Sequence, residues 1–316
     1  MKKKSLVLGG SGFIGQALCR ALKAAGESPV ILDVVPPSNR AFPFVQVKWG
    51  REKRFLSKSL AKASSLYYLA WSTKPASANR DPLADFLDNV EPALKFLEEY
   101  RREKYDFRIV FISSGGAVYG ESSAHPVKEN HFTDPINAYG IGKLTVEYYL
   151  KLYHRLNALD YIVLRPSNAY GEGQNPFGEM GAVNVFLGKV LKGKPIEIWG
   201  DGSTVRDYLH IDDLTSAVVA AGCYRSKAGE PRTFNLASGE AISLQRLLKL
   251  IGRATGKTVT VEYLPARSVD VHRIKLDLSQ ANKYLKWKPR VSLERGINRT
   301  WQWMWEVYGT GKSPSL

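Results

Sequence analysis

The first half of the chain alternates short apolar runs with longer amphipathic stretches. Consecutive apolar residues favour strands buried on both faces, whereas apolar residues repeating every three or four positions favour helices. Strands are predicted at residues 6–8, 29–33, 65–70, 108–113 and 161–165. Helices are predicted at residues 16–25, 82–102 and 139–156. This alternation predicts an α/β fold built on a doubly wound parallel sheet.

A glycine-rich turn joins the first predicted strand to the first predicted helix. Gly9, Gly12 and Gly15 follow one another at a spacing of three. In such a turn the first glycine permits a tight bend, the second lets a pyrophosphate approach the backbone, and the third lets helix and strand pack closely. The N-terminus of the helix adds free N–H groups and a partial positive charge. The turn therefore predicts a phosphate cradle for a dinucleotide.

The second predicted strand ends in a carboxylate, Asp33. It follows the glycines by roughly 20 residues, where a carboxylate accepts hydrogen bonds from an adenosine ribose diol. The residues after it, 34–37, are Val, Val, Pro and Pro, with no basic side chain to hold a 2′-phosphate. Because Asp33 would repel that phosphate, we predict NAD rather than NADP.

The composition of the sequence changes after residue 165. Residues 168–181 are rich in Gly, Asn and Pro, which is typical of a long functional loop, and further strands are predicted at 195–199 and 258–262. We expect residues 1–168 to form a Rossmann domain, to which residues 205–236 return. Residues 169–316 are expected to form a smaller α/β domain that binds substrate.

Composition narrows the class of protein. The 316 residues are 44% hydrophobic, enough for a large core, and no apolar run is long enough to span a membrane. The lysines at the start are followed at once by a glycine-broken stretch, so no secretory signal is predicted. Cys19 and Cys223 lie in apolar, helix-like surroundings and are interpreted as reduced core thiols of a cytoplasmic protein.

The net charge of +15 admits nucleic acid, an acidic membrane surface or an anionic ligand as partner. The basic residues are scattered and no nucleic-acid module is recognisable, so neither nucleic acid nor membrane insertion is predicted. The excess is interpreted as solvated surface, part of it steering a phosphate-bearing ligand. None of the five histidines has metal-ligand spacing, and no metal is predicted.

Tyr139 and Lys143 are the sharpest catalytic candidates. Four residues apart on a predicted helix, they share one face. A lysine ammonium beside a phenol favours the phenolate and is expected to lower its pKa from about 10 toward neutrality. The phenolate can then take a proton from a sugar hydroxyl while hydride leaves the carbon that bears this hydroxyl for nicotinamide. A solvated surface pair is the structural alternative.

Several longer motifs accompany these residues. They are residues 9–15 (GGSGFIG), 113–120 (SSGGAVYG), 164–171 (LRPSNAYG), 200–214 (GDGSTVRDYLHIDDL), 234–239 (FNLASG) and 267–270 (RSVD). With these motifs the chain resembles the extended short-chain dehydrogenases/reductases over nearly its whole length. It is most similar to the nucleotide-sugar epimerases and dehydratases related to UDP-galactose 4-epimerase.

The resemblance implies two sets of binding residues and an assembly. The cofactor set is Gly9, Gly12, Phe13, Ile14, Gly15, Asp33, Leu69, Ala70, Asn89, Ser113, Tyr139, Lys143 and Pro166. The set for the UDP-sugar is Ser114, Tyr139, Asn168, Arg206 and Arg267, whose two arginines would clamp the diphosphate. The resemblance also implies a homodimer in which helices 82–102 and 139–156 of two chains form a four-helix bundle.

Three positions depart from the family pattern. Gly115 stands where the family has its catalytic Ser or Thr, so Ser114 is the expected substitute, with Ser113 as the second choice. Trp49 stands near the expected adenine contact and is a candidate for shaping that pocket. Trp71 replaces a small residue beside Ala70, where it would crowd the nicotinamide pocket or reshape the sugar site.

The resemblance also bears on the reaction. Dehydratases of this family need an acid and a base where this chain has Gly116 and Ala117, which transfer no protons. We therefore expect an NAD-dependent 4-epimerase of UDP-sugars, acting through a transient 4-keto sugar. The sugar is UDP-glucose/galactose or their N-acetyl forms. Ile274 lies near the family position that admits or excludes N-acetyl sugars, and it favours UDP-N-acetylglucosamine as the substrate.

Two alternatives stay open from the sequence. One is a nucleotide-sugar 4,6-dehydratase or 4-ketoreductase, and the other is a noncatalytic NAD-binding sensor of the same fold. A polysaccharide pathway at the cell surface is a setting implied by resemblance alone.

Overall fold

The computed structural model describes residues 3–47, 55–57, 60–122, 125–266 and 271–309. Seven strands form one parallel sheet: β1 (Lys4–Leu8), β2 (Ser28–Asp33), β3 (Phe44–Gln46), β4 (Ser65–Tyr68), β5 (Arg108–Ile112), β6 (Tyr161–Pro166) and β10 (Thr233–Leu236). Their spatial order is β3-β2-β1-β4-β5-β6-β10, and every adjacent pair is parallel. The order reverses between β1 and β4, which is where doubly wound sheets bind ligands. The predicted fold class is confirmed.

Helices cover both faces of this sheet. Residues alternate between the faces along each strand, so Leu6 and Leu8 lie in one hydrophobic cluster and Val7 in another. The first cluster is closed by α4 (Glu91–Arg102) and α5 (Ala138–Asn157), and the second by α1 (Phe13–Ala24) and α7 (Ile211–Cys223). Because both faces are covered, the central strands are apolar throughout, which is why periodicity located them.

The helix predicted over residues 82–102 is interrupted. After α2 (Pro75–Arg80), a short α3 (Pro82–Asp85) leads into a π-helical turn, Phe86–Val90, before α4 begins. Pro92 carries no N–H for the α-helical ladder, and the Glu91 N–H donates to the Phe86 carbonyl, five residues back. The extra residue rotates the helix face. Phe86, the first residue of this turn, is 45% exposed.

The remaining elements form a smaller layer beside the sheet. A three-stranded sheet contains β7 (Asn168–Tyr170), β9 (Val205–His210) and β11 (Ala241–Ser243), and β8 (Ile196–Trp199) pairs with β12 (Val261–Leu264). The helices of this layer are α6 (Ala182–Leu191), α8 (Leu244–Thr255) and α10 (Leu293–Met304), the last followed by a π-helical turn, Trp305–Gly309. Helix α9 (Ser279–Leu285) packs instead on the large sheet, in the hydrophobic cluster of α1 and α7. Within residues 205–236, α7 and β10 join the large sheet, whereas β9 pairs with β7 and β11.

Local details differ from the sequence-based expectations. The strand predicted at 258–262 lies at Val261–Leu264, and α1 begins at Phe13 rather than Gln16. Cys19 is buried, but Cys223 is exposed because α7 ends there, so the prediction of a core thiol is wrong for Cys223. Among the described residues, no helix is both long and apolar enough to cross a membrane.

Candidate active site

Three loops converge at the carboxyl end of the sheet, beside the point where the strand order reverses. The Gly9 N–H donates to the Leu32 carbonyl at 2.9 Å, which ties the glycine turn to β2. The N–H groups of Leu69 and Ala70 donate to the Leu8 carbonyl at 2.9 and 3.1 Å, which ties the loop after β4 to β1. Predicted cofactor residues from three separate segments are thereby brought together.

The glycine turn has the geometry of a dinucleotide cradle. Gly9 has a φ of +81°, and a Cβ there would lie 2.6 Å from the Ala70 nitrogen. A Cβ on Gly15 would lie 2.4 Å from the Gly9 carbonyl oxygen, so close packing of α1 on the turn requires glycine. Helix α1 starts at Phe13 with no side-chain cap from Gly12 and no acidic residue in its first turn. Its N-terminus, formed by Phe13 and Ile14, therefore suits a pyrophosphate.

Asp33 is fixed at the end of β2. One carboxylate oxygen accepts the Val34 N–H at 2.7 Å, and the other accepts the Ser11 N–H of the glycine turn at 2.9 Å. Val34 and Val35 are exposed and apolar, as the sequence indicated. The carboxylate is thus held beside the cradle, where it suits the ribose diol of NAD.

Helix α5 carries Tyr139 and Lys143 and is capped by Asn137, whose side chain accepts the Gly140 N–H at 2.8 Å. The Lys143 Nζ donates to the Ile112 carbonyl at 2.8 Å and lies 5.7 Å from the centroid of the Tyr139 ring. Lys143 is only 2% exposed. Burial lowers its pKa to about 7, although the charges of Glu147 and Asp85 oppose that shift.

The pKa of Tyr139 departs from the sequence-based expectation. Burial of the phenol raises it to about 12, and a hydrogen bond with the Ser114 side chain only partly counters this. Lys143 does not bring the pKa toward neutrality here, because its ammonium points to the Ile112 carbonyl rather than to the phenol oxygen. The structure therefore gives Tyr139 a raised pKa in place of the near-neutral one expected from the sequence.

The structure explains the missing hydroxyl at position 115. A Cβ on Gly115 would lie 2.4 Å from Leu276 Cδ1 and 2.8 Å from the Arg165 carbonyl oxygen. The preceding residue, Ser114, has its hydroxyl beside the Tyr139 phenol and lowers the pKa of that phenol. The Ser113 hydroxyl points into the core, where it donates to Glu147. Of the two serines considered as substitutes, Ser114 is the one beside the phenol.

Replacing Ser114 with alanine is expected to lower kcat about 10- to 100-fold, since a hydrogen bond to a charged group contributes about 1.5–3 kcal/mol. The comparison is Ser113→Ala, which removes a hydroxyl that donates to Glu147; it should cost about 1 kcal/mol of stability and lower kcat less than Ser114→Ala does. Steady-state kinetics and chemical denaturation of both variants test this assignment. A full kcat in Ser114→Ala with a reduced one in Ser113→Ala would reverse it.

The other candidate residues lie around this centre. Asn89 is buried in the π-helical turn, and its amide is engaged by the loop after β4: it accepts the Ser72 N–H at 2.7 Å and donates to Asp85 at 3.1 Å. The Pro166 carbonyl accepts the Gly115 N–H at 2.8 Å at the end of β6. The direct contacts expected of Asn89, Ser113 and Pro166 with the cofactor stay predictions.

The other residues assigned to the nucleotide sugar lie in the smaller layer or outside the described residues. Asn168 begins β7 and donates to the Asp207 carbonyl at 3.0 Å. Arg206 lies on β9, and its Nη1 donates to the Val205 carbonyl at 3.0 Å. Arg267 and Trp49 lie outside the described residues.

A buried charge network behind the site was missed by the sequence analysis. Glu147 and Arg165 are 7% and 6% exposed, and their closest atoms are 2.6 Å apart. Arg165 also donates to the Tyr119 hydroxyl at 2.8 Å, and that hydroxyl donates to Asn235. Although burial disfavours its charge, Glu147 holds the pKa of Arg165 above the ordinary value. The available signal was the position of Glu147, four residues after Lys143 on the same helix face.

A tyrosine, a serine and a buried lysine beside a dinucleotide cradle define a nicotinamide-dependent enzyme that moves a proton and a hydride. The model of the NAD dependent epimerase/dehydratase family matches residues 5–237, and the chain belongs to this family.

Individual relatives share almost the full length. The UDP-glucose 4-epimerase of Mycolicibacterium smegmatis is 33% identical over 308 residues, which cover 94% of this chain and 97% of that protein. An Escherichia coli dTDP-4-dehydro-6-deoxyglucose reductase is 29% identical, covering 94% and 96%. The structure of Thermotoga maritima UDP-glucose 4-epimerase with UDP-glucose superposes with a TM-score of 0.85 at 31% identity, covering 96% of this chain and 99% of that one.

Proposed function

We propose that this protein is an NAD-dependent epimerase that interconverts UDP-sugars at carbon 4 through a transient 4-keto sugar. The observation that carries the proposal is the placement of Tyr139 beside Ser114 and in front of Lys143, at the edge of the dinucleotide cradle. Gly116 and Ala117 stand where a dehydratase needs its additional acid and base. The site thus contains one proton-transfer group, which is sufficient for epimerisation.

Separate residues are assigned to cofactor binding and to proton transfer. The turn with Gly9, Gly12 and Gly15 would hold the pyrophosphate of NAD, and Asp33 its adenosine ribose. NAD held there would supply reversible hydride transfer at carbon 4 of the sugar. Tyr139 takes the proton of the carbon-4 hydroxyl and gives it back, because the reverse step needs the same group as an acid.

Ser114 and Lys143 support this proton transfer. The Ser114 hydrogen bond lowers the pKa of Tyr139 against the effect of burial, and it therefore favours the phenolate. Lys143, in its ammonium form, places a positive charge behind the phenol ring. Lys143 is buried, which keeps water away from its ammonium and strengthens the effect of its charge on the phenol.

We propose that residues 1–168 bind NAD and that residues 169–316 bind the UDP-sugar. Arg206 and Arg267 are assigned to the diphosphate and Asn168 to the diphosphate or sugar, in keeping with the fork geometry of guanidinium groups. Ile274 does not help to choose the sugar. It is 2% exposed within a hydrophobic cluster with Val118 and Leu276, so it offers no open space for an N-acetyl group.

The test is incubation of the purified protein with UDP-glucose, UDP-galactose and their N-acetyl forms, followed by proton NMR of the anomeric signals. The expected result is a carbon-4 epimer of one pair. Loss of the carbon-6 hydroxyl would identify a dehydratase instead. The E. coli relative makes a 4-ketoreductase the second candidate, which turnover of a nucleotide 4-keto sugar with added reduced cofactor would reveal.

We also propose that the protein is a homodimer. Tyr148, Leu152 and Leu156 are 59%, 42% and 69% exposed, and their spacing of four places them along one face of α5. A second α5 with the 82–102 segment packed beside it would cover this face as a four-helix bundle.

The dimer proposal predicts a mass of twice the 35.3 kDa chain in light scattering at micromolar concentration. The double variant Leu152→Glu/Leu156→Glu should be monomeric, because four charges would face each other across the two-fold axis. Lys151→Glu, on the same helix but between these positions, is the control and should stay dimeric. A wild-type monomer would contradict the proposal.

A further inference from the structure

The indole ring of Trp71 is the nearest aromatic group to the catalytic lysine. The Lys143 Nζ lies 4.0 Å from the centroid of the Trp71 ring, compared with 5.0 Å for Phe111. Trp71 also meets Tyr139 edge-on, with ring centroids 5.9 Å apart and planes at 76°. The face of an indole carries the negative part of its quadrupole, and it attracts an ammonium more strongly than a phenyl face does.

The ring is held in this place by packing and by the loop that follows it. A Cβ on Gly142 would lie 3.0 Å from Trp71 Cζ2, so glycine at this point of α5 admits the ring. Ser72, the next residue, donates its N–H to Asn89 at 2.7 Å, and Thr73 bonds to Asp85. The buried side chains of the 82–90 segment thereby fix the loop that carries the indole.

The indole N–H of Trp71 is buried and has no hydrogen-bond partner among the described residues. A buried donor without a partner costs free energy, which a phenylalanine at this position would avoid. The reason for an indole at this position is therefore its π-face, which is the part of the ring that contacts Lys143.

The ammonium of Lys143 needs such support. Within the part of the chain that the structure describes, its one conventional hydrogen bond goes to the Ile112 carbonyl of β5. The titratable groups that face it are Tyr139 and Glu147 of its own helix and Asp85 of the preceding helical segment. The charge of Glu147 is shared with Arg165, and burial lowers the pKa of Lys143 to about 7 against the opposing charges of Glu147 and Asp85.

We propose that Trp71 is a positioning residue whose indole face stabilises Lys143 as an ammonium ion beside Tyr139. The inference rests on the proposed function, since it assigns Trp71 to the same proton-transfer site. Trp71 thereby contributes to the electrostatics of the site.

The test is a pH titration of the Lys143 side chain by NMR in protein labelled with ¹³C at lysine Cε, with the signal assigned from Lys143→Arg. Trp71→Leu should lower the pKa of Lys143 by about half a unit or more, the shift that corresponds to loss of a cation–π contact. Trp71→Phe keeps an aromatic face and should give a smaller decrease. Trp305→Leu removes a ring beside Lys257 at the surface and should leave Lys143 unchanged.

An unchanged or raised pKa of Lys143 in Trp71→Leu would overturn the proposal, because a ring that only filled space would admit water when removed and so favour the ammonium. If Trp71→Leu fails to fold, the pKa of Lys143 in Trp71→Phe is compared with that in the wild-type protein. The same reasoning applies, with a smaller expected decrease. The titration needs no turnover. An inactive wild-type protein would contradict the epimerase function. A pKa of Lys143 that does not change when Trp71 is replaced would contradict this inference alone.

Discussion

Replacing Tyr139 with phenylalanine is expected to lower kcat for epimerisation by about 10²- to 10⁴-fold, the usual contribution of a positioned proton-transfer group. The ring and its contact with Trp71 remain in the variant, and only the oxygen that bonds to Ser114 is lost. Bound NAD should be unaffected, since the glycine turn and Asp33 lie elsewhere. The measurements are kcat by NMR and the cofactor content of the purified variant.

The matched control is Tyr148→Phe, an exposed tyrosine on the same helix. It should keep the wild-type kcat. If Tyr139→Phe retained more than a tenth of the activity, the proton would have to move through Ser114 or another group, and the assigned role of Tyr139 would be wrong.

Replacing Arg165 with methionine is expected to lower the free energy of unfolding by about 3–5 kcal/mol. The substitution leaves the Glu147 carboxylate buried without its partner, at 7% exposure. It also removes the donor that reaches the Tyr119 hydroxyl. Chemical denaturation of the variant and wild type at neutral pH measures the loss.

Arg101→Met provides the comparison for this prediction. Arg101 pairs with Glu98 at 2.8 Å, but both side chains are about half exposed, so the pair should contribute less than about 1 kcal/mol. Similar losses in the two variants would mean that Glu147 and Arg165 are hydrated in solution and that burial does not govern their energetics.

The parts of the fold that follow from local patterns were predictable. The central strands are apolar on both faces, so their positions appear in the sequence without knowledge of their neighbours. The glycine turn, Asp33 and the Tyr139–Lys143 pair were predictable for a related reason. Each depends on a short spacing within one strand–turn–helix unit or one helix.

The parts that were not predicted depend on backbone hydrogen bonding or on contacts between distant segments. The π-helical turn Phe86–Val90 lies just before Pro92, which lacks an N–H, and periodicity does not register it. The need for glycine at 115 arises from Leu276, far away in the sequence. The raised pKa of Tyr139 arises from burial, which a spacing of four on a helix does not reveal.

The measurement that tests the central claim most directly is the conversion of UDP-[4-²H]glucose, or of the N-acetyl sugar identified as substrate, in ordinary water. The account predicts a carbon-4 epimer that retains deuterium at carbon 4, because the hydrogen leaves as hydride and returns without exchange. Tyr139→Phe should give almost no product. An epimer that has lost its deuterium to water, or the absence of any epimer from the wild-type protein, would contradict the account.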